Sequence, residues 1–99
     1  MTYRLANSAE VSARQDRTVP YYDWTIFVQA TDEELDAIEF VTYFLHPTFP
    51  NPVHNSSDRW SNFALRARGW GTFEVGALIH LKDGTTKALT HELDFSAAT

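Results

Sequence analysis

Residues 73–95 read FEVGALIHLKDGTTKALTHELDF, and this stretch decides the fold class. Apolar side chains recur at every second position in the first half, at Phe73, Val75, Ala77, Ile79 and Leu81, and Leu89, His91, Leu93 and Phe95 alternate in the second. Strict period-two spacing predicts strands that bury one face. The Asp83-Gly84 pair between the halves is typical of a tight hairpin turn with positive φ values. We therefore expect antiparallel strands at 72–81 and 86–95.

Three earlier segments also have the composition of strands. In 23–30, the side chains of Trp24, Ile26 and Val28 fall on one face, which predicts a half-buried strand. The aromatic and β-branched run 38–45 predicts a strand that is covered on both faces and lies beside the Trp24 strand. A shorter strand is expected at 60–66, with Phe63 and Leu65 facing inward.

The intervening segments are predicted to be connections. Residues 31–34 interrupt the apolar pattern and are expected to form no more than a turn of helix. Residues 46–58 contain three of the four prolines, and proline donates no hydrogen bond to a sheet, so this segment cannot be a central strand. Residues 1–19 are predicted to be a weak edge strand or a flexible segment, and 20–99 a single domain. The pattern indicates an all-β, immunoglobulin-like sandwich of two antiparallel sheets. Its predicted core is Trp24, Ile26, Val28, Phe73, Val75, Ile79 and Leu93.

Composition excludes several classes of protein. A net charge of −5 disfavours direct binding to nucleic acid, and no apolar run is long enough for a membrane span. The chain has no cysteine, which excludes disulfides and thiolate metal sites and favours a cytoplasmic location. The four histidines lack metal-ligand spacing, and there is neither a phosphate-binding glycine loop nor a nucleophile motif. We expect a protein that is not an enzyme and that needs no metal or cofactor.

Two loops combine aromatic and turn-forming residues. The segment 46–50, HPTFP, follows one predicted strand, and the segment 69–73, GWGTF, precedes another. Because a sandwich gathers its loops at its two ends, these segments can meet at one end and frame a shallow pocket.

The Asp23-Trp24 pair, the segment 45–52 (LHPTFPNP) and the segment 69–73 occur in an order and spacing that resemble the YEATS family, most of all its prokaryotic branch. The resemblance covers residues 21–95. It implies a module that binds acylated lysine, with the flat acyl amide stacked between the rings of Phe49 and Trp70.

The resemblance also implies roles for the surrounding residues. The Thr48 hydroxyl, where many eukaryotic members carry serine, bonds the acyl carbonyl, and His46 orients that hydroxyl. The backbone amide of Trp70 is a second donor. The remaining implied pocket residues are Phe73, which helps to close the pocket, Gly69 and Gly71 beside Trp70, and Tyr21 or Tyr22, which replaces a lining aromatic. The implied partner is an acylated-lysine peptide or protein.

Each of these residues also has an ordinary structural explanation. Trp70 between two glycines can simply plug the end of a sandwich, and His46 before proline can cap a loop. Trp24 is predicted to belong to the core and not to the site. The alternative function is a structural or protein-interaction domain that holds a partner protein at its edges or loops, as part of a bacterial signalling or defence assembly.

Overall fold

The structure, a computed structural model, describes residues 3–11, 22–69 and 73–95. In this part of the chain the strands form a three-stranded sheet of order β1-β2-β5 and a four-stranded sheet of order β4-β3-β6-β7, with every pairing antiparallel. The strands are β1 Arg4–Val11, β2 Tyr22–Gln29, β3 Ile38–Phe44, β4 Val53–Ser56, β5 Leu65–Gly69, β6 Glu74–Leu81 and β7 Thr86–Glu92. The predicted all-β sandwich is confirmed.

The core lies between the inward faces of the two sheets. Trp24, Ile26 and Val28 of β2 are buried on one side, and Val75 and Ile79 of β6 are buried on the other. These positions follow the period-two alternation of the sequence because successive side chains of a strand point to opposite faces. Leu93 is also buried. The predicted core residue Phe73 is only half-buried, because it precedes β6 at one end of the sandwich.

The predicted neighbour of β3 was wrong. β3 pairs with β4 and β6 and therefore lies in the sheet opposite β2. The outer face of β3 is also not covered, since the Phe44 side chain is 44% exposed. Its aromatic residues pack along the sheet surface instead. The Phe40 ring stacks on His80 at 4.0 Å, and Phe44 lies over Gly76, where a Cβ atom would meet the Phe44 Cβ at 3.6 Å.

The strand predicted at 60–66 begins later, as β5. A 3₁₀ helix occupies Arg59–Ser61, with the Asp58 carboxylate accepting a hydrogen bond from the Trp60 amide at 3.1 Å. Asn62 and Phe63 then take φ values of 60° and 57°, so the chain cannot remain extended. Phe63 is buried, as predicted, but its side chain enters the core from this turn.

The turn around Phe63 is fixed by hydrogen bonds to other elements. The Tyr43 hydroxyl donates to the Phe63 carbonyl at 2.6 Å, and the Val28 amide donates to the Asn62 carbonyl at 3.0 Å. Within the turn, the Phe63 amide donates to the Asp58 carbonyl at 2.8 Å. These bonds stabilise a left-handed backbone that phenylalanine rarely adopts.

Three connections differ in detail from the expectation. The segment 31–34 initiates a short helix, α1 (Asp32–Asp36), through a capping box in which Thr31 and Glu34 bond each other's backbone amides. The proline-rich segment includes β4, which is an edge strand and therefore compatible with the nearby prolines. In the hairpin only Gly84 has a positive φ, 92°, and β7 ends at Glu92.

The strand β1 pairs with β2 along its full length. Its Asn7 side chain also reaches the end of the other sheet, because Nδ2 donates to the Asp94 carbonyl at 2.9 Å and Oδ1 accepts from the Asp94 amide at 3.1 Å. In residues 3–11, 22–69 and 73–95 no helix is long and apolar enough to cross a membrane.

Candidate functional site

The loop after β3 and the chain before β6 lie at the same end of the sandwich. β3 ends at Phe44, which pairs with Gly76 near the start of β6, and β2 begins at Tyr22, which pairs with Gly69 at the end of β5. Gly69 lies near the Phe49 ring, which packs on Phe73, so the end of β5, the loop after β3 and the residue before β6 lie at a common end. We call this end of the sandwich the site end.

The loop 46–49 is a tight turn that positions a hydroxyl group. The Phe49 amide donates to the His46 carbonyl at 3.0 Å. The His46 Nδ1 lies 2.9 Å from the Thr48 Oγ1 and accepts a hydrogen bond from the Thr48 amide at 3.3 Å. Both side chains are exposed to solvent. His46 thus fixes the orientation of Thr48, which is the relation that the resemblance implies.

Aromatic rings surround the base of this loop. Phe73 lies 5.5 Å from Phe49 and 6.0 Å from His46 between ring centroids, and it meets Trp24 edge to face at 5.9 Å. Phe49 and Phe73 are half-buried, whereas Trp24 is buried. The Phe49 and Phe73 rings are tilted by 54° and pack on each other, which stabilises the position of the Phe49 ring.

Gly69 brings β5 into the same group. A Cβ atom on Gly69 would lie 3.9 Å from the Phe49 Cζ and 3.8 Å from the Trp24 Nε1. The glycine therefore lies between the tip of the Phe49 ring and the edge of the indole. The role of Trp24 beside the site was not predicted, because alternation along β2 indicates burial but does not show which residue of the next strand its Nε1 faces.

The structure brings together five of the predicted site residues, namely His46, Thr48, Phe49, Gly69 and Phe73. Tyr22 instead packs on Phe95 with ring centroids 4.7 Å apart. Three further predicted site residues, Tyr21, Trp70 and Gly71, lie outside the described residues, so the predicted slot between Phe49 and Trp70 stays a prediction.

Charged groups near the site end are exposed. Asp23 accepts a hydrogen bond from the Arg68 Nε at 2.6 Å, and Glu74 pairs across the sheet with Glu92. An exposed salt bridge such as Asp23–Arg68 contributes little to stability, and the like charges of Glu74 and Glu92 repel each other. Within residues 3–11, 22–69 and 73–95, no group of three or more histidine or carboxylate side chains could hold a metal ion. The arrangement offers aromatic faces and one oriented hydroxyl, which suits a planar polar ligand.

Comparison with known proteins identifies relatives over most of the chain. The family model of the prokaryotic YEATS domain matches residues 22–94. TFIID subunit 14 of Schizosaccharomyces pombe, a transcription initiation factor, is 35% identical over 92 residues, which are 87% of this chain and 37% of that protein. The AF-9 homolog of Eremothecium gossypii is 39% identical over 62 residues, which are 61% of this chain and 29% of that protein. The chain spans well under half the length of these relatives.

Solved structures give the same result. The Yaf9 YEATS domain recognising an H3K122suc peptide has a TM-score of 0.72 at 26% identity, and the match covers 94% of this chain and 73% of that one. The same domain bound to H3K27ac has a TM-score of 0.70 at 25% identity, covering 94% and 72% of the two chains. YEATS domains are reader modules and not enzymes. The chain belongs to the YEATS domain family, with its match in the prokaryotic branch, and is a binding module, as its sequence predicted.

Proposed function

We propose that this domain binds acylated lysine, of the acetyl or crotonyl type, at the site end. The observation that carries the proposal is the Thr48 hydroxyl, which His46 orients at 2.9 Å in the residue that precedes Phe49. Further support comes from two structures of a related domain, which is described as recognising H3K122suc in one and as bound to H3K27ac in the other. A lysine-acylated protein in the cytoplasm of a prokaryote is the proposed partner.

The hydrogen bonds of the loop favour a definite polarity for the Thr48 contact. The His46 Nδ1 accepts from the Thr48 amide, so this nitrogen carries a lone pair and the proton of a neutral ring is on Nε2. The Thr48 hydroxyl then donates its single proton to Nδ1. Its oxygen lone pairs remain available to accept the N–H of a ligand amide. This polarity is opposite to the carbonyl contact that the sequence resemblance implied for Thr48.

The aromatic groups supply the rest of the proposed affinity. An acyl amide is flat, and stacking on an aromatic face stabilises it without requiring charge. Phe49 packs on Phe73 with the two rings tilted by 54°, and the face of Phe49 that Phe73 leaves free is proposed to meet the ligand. Trp70 is the proposed second ring by correspondence with the family, and its backbone amide is the proposed donor to the acyl carbonyl.

The proposal is tested by titrating acetyl-lysine, crotonyl-lysine and unmodified lysine peptides by calorimetry. We expect binding of the acylated peptides alone. Trp70→Ala should weaken binding by about 1 to 3 kcal/mol through lost stacking. Thr48→Ala should cost about 1 kcal/mol, and Thr48→Ser should bind nearly as well as the unchanged protein, since the hydroxyl is retained.

Trp60→Ala is the matched control for Trp70→Ala, because the Trp60 side chain is 94% exposed and lies in the turn that packs on the far half of β2. It should leave affinity unchanged. Equal binding of free and acylated lysine, or full binding by a folded Trp70→Ala protein, would refute the reader function. A protein-interaction domain would then be the better assignment.

A further inference from the structure

The indole nitrogen of Trp24 is buried without a hydrogen-bond partner. Trp24 is 1% exposed, and its Nε1 is the single buried side-chain nitrogen or oxygen atom without a partner in residues 3–11, 22–69 and 73–95. An indole N–H in this position loses its bonds to water and gains none from the protein, at a cost of about 1 to 3 kcal/mol. Unsatisfied groups of this kind are rare in folded proteins and call for an explanation.

The Trp24 N–H lies toward the site end. The direct partner of Trp24 on β5 is Ala67, yet Nε1 lies near Gly69, two residues closer to the site end. A Cβ atom on Gly69 would be 3.8 Å from Nε1 and 3.9 Å from the Phe49 Cζ. The tip of the Phe49 ring and the indole N–H are thus both neighbours of Gly69, which has no side chain, at the inner boundary of the site.

Filling the core does not by itself account for this nitrogen. The indole packs edge to face with Phe73, and its buried carbon surface accounts for a large apolar side chain at this position. Such packing requires no N–H group, since an all-carbon ring would pack without leaving a donor unsatisfied. A ligand acceptor that reached Nε1 would remove the cost of the unpaired donor in addition to forming a bond.

We propose that the Trp24 N–H is a specificity-determining donor that selects lysine acyl groups with a neutral oxygen in the acyl tail, such as hydroxyacyl or ketoacyl groups. The inference rests on the proposed reader function. The acyl tail passes Thr48 and reaches Nε1 when the tip of the half-buried Phe49 ring turns aside. The hydrogen bonds described for residues 46–49 do not involve the Phe49 ring, whose described contact is with the Phe73 ring.

A neutral oxygen is favoured over a carboxylate by the surroundings of Nε1. Among the described residues, the groups that these contacts place near Nε1 are the rings of Phe49 and Phe73 and the backbone of Gly69, and these groups carry no positive charge. Burying a carboxylate among such groups is costly unless a cation pairs with it. The net charge of the chain, −5, further disfavours an anionic tail.

The experiment compares two peptides that differ by one hydroxyl group, 3-hydroxybutyryl-lysine and butyryl-lysine. We expect the unchanged protein to prefer the hydroxylated peptide by about tenfold, because that ligand satisfies the buried donor. Trp24→Phe should abolish the preference, whereas Thr48→Ala should weaken both peptides alike and leave their ratio unchanged. For each variant, calorimetry measures four affinities, those of the two peptides for the variant and for the unchanged protein.

The indole N–H resonance gives a second measurement that does not depend on the folding of Trp24→Phe. In the ¹⁵N-labelled protein, the Trp24 indole signal should shift with the hydroxybutyryl peptide and much less with the butyryl peptide. The exposed Trp60 indole should not move with either peptide, and Trp60→Phe and Trp70→Phe assign the other two of the three indole signals. A folded Trp24→Phe protein that retains the preference would overturn the inference.

The possible failures are distinguishable. If butyryl-lysine binds as well as hydroxybutyryl-lysine and the Trp24 signal responds to both alike, the role of Trp24 is wrong and the reader function stands. If neither acylated peptide binds, the reader function fails and the specificity inference fails with it.

Discussion

The turn 58–63 and the loop 46–49 are both short irregular segments of the sandwich, yet they are held in different ways. The turn is bonded to two strands, through Val28 and Tyr43, and to α1, through an Arg59–Asp36 bond of 2.8 Å. The hydrogen bonds described for residues 46–49 join residues of the loop itself. One segment is therefore part of the scaffold, and the other keeps polar atoms available for a ligand. A residue's type alone does not separate the two roles, because each segment contains a phenylalanine.

The comparison is tested most severely by removing the two phenylalanine rings. Phe63→Ala should lower the free energy of unfolding by about 3 to 5 kcal/mol, because it leaves a cavity at a side chain that is 1% exposed. Phe49→Ala should cost about 1 kcal/mol or less, because the ring is half-buried and its loop can adjust. Urea unfolding measures both values. Equal losses would contradict the distinction between scaffold and loop.

A smaller effect is expected from the hydroxyl that holds the turn. Tyr43→Phe should cost about 1 to 3 kcal/mol, because it leaves the buried Phe63 carbonyl without its donor. Burial also raises the pKa of the Tyr43 phenol well above its ordinary value of 10.0. Since the folded pKa is the higher one, the stability linked to this proton is present below that ordinary value and is lost as the pH rises above it.

Unfolding measured across this alkaline range should therefore show a loss of stability that is smaller in Tyr43→Phe. Tyr22→Phe is the matched control, because the Tyr22 ring is only half-buried and packs on Phe95. A control protein that changed as much as Tyr43→Phe would show that the phenol of Tyr43 has no special role.

The smallest effect is expected at the β6–β7 hairpin, which lies at the end of the sheet opposite the site. The Thr85 hydroxyl and amide donate to the Asp83 carboxylate at 2.6 and 2.9 Å and lower its pKa from 3.8. Because the pKa of Asp83 is lower in the folded protein, this carboxylate stabilises the fold at pH values above its pKa in the unfolded chain. That contribution is lost as the pH falls through its pKa in the folded protein. Asp83→Asn should flatten the dependence of the melting temperature on pH below about pH 4. If the melting temperature of Asp83→Asn depended on pH below about pH 4 as steeply as that of the unchanged protein, this assignment would be wrong.

Much of the fold could be predicted from the sequence because strand alternation is a local property. The period-two spacing of residues 73–81 predicted which face of β6 is buried, and Gly84 predicted the position of the hairpin turn. The sheet partner of β3 could not be obtained in this way, since alternation defines a strand's faces but not its neighbours. The turn at Phe63 depends on Tyr43, which is 20 residues away in the chain.

The candidate site could likewise be predicted only in part from the sequence. The order of His46, Thr48 and Phe49 in the loop was readable from the sequence, and the structure brings them together with Phe73. The sequence did not show the direction of the hydrogen bond made by the Thr48 hydroxyl, because that direction depends on the geometry of the loop. It also did not show that the Trp24 nitrogen is unpaired, because this depends on the geometry between strands. The second ring of the proposed slot, Trp70, rests on the family correspondence.

The Asn7 side chain has a consequence for the order in which the domain assembles. Its hydrogen bonds to Asp94 join positions 87 residues apart and connect one sheet with the end of the other. The His91 Nε2, 2.7 Å from the Asn7 Oδ1, adds a third contact over a similar separation. Forming a contact between such distant positions costs loop-closure entropy. The contact therefore stabilises the chain only when most of it is already ordered. We expect β1 to join the sandwich late in folding, which makes Asn7 a position that governs how fast the native state opens more than how fast it forms.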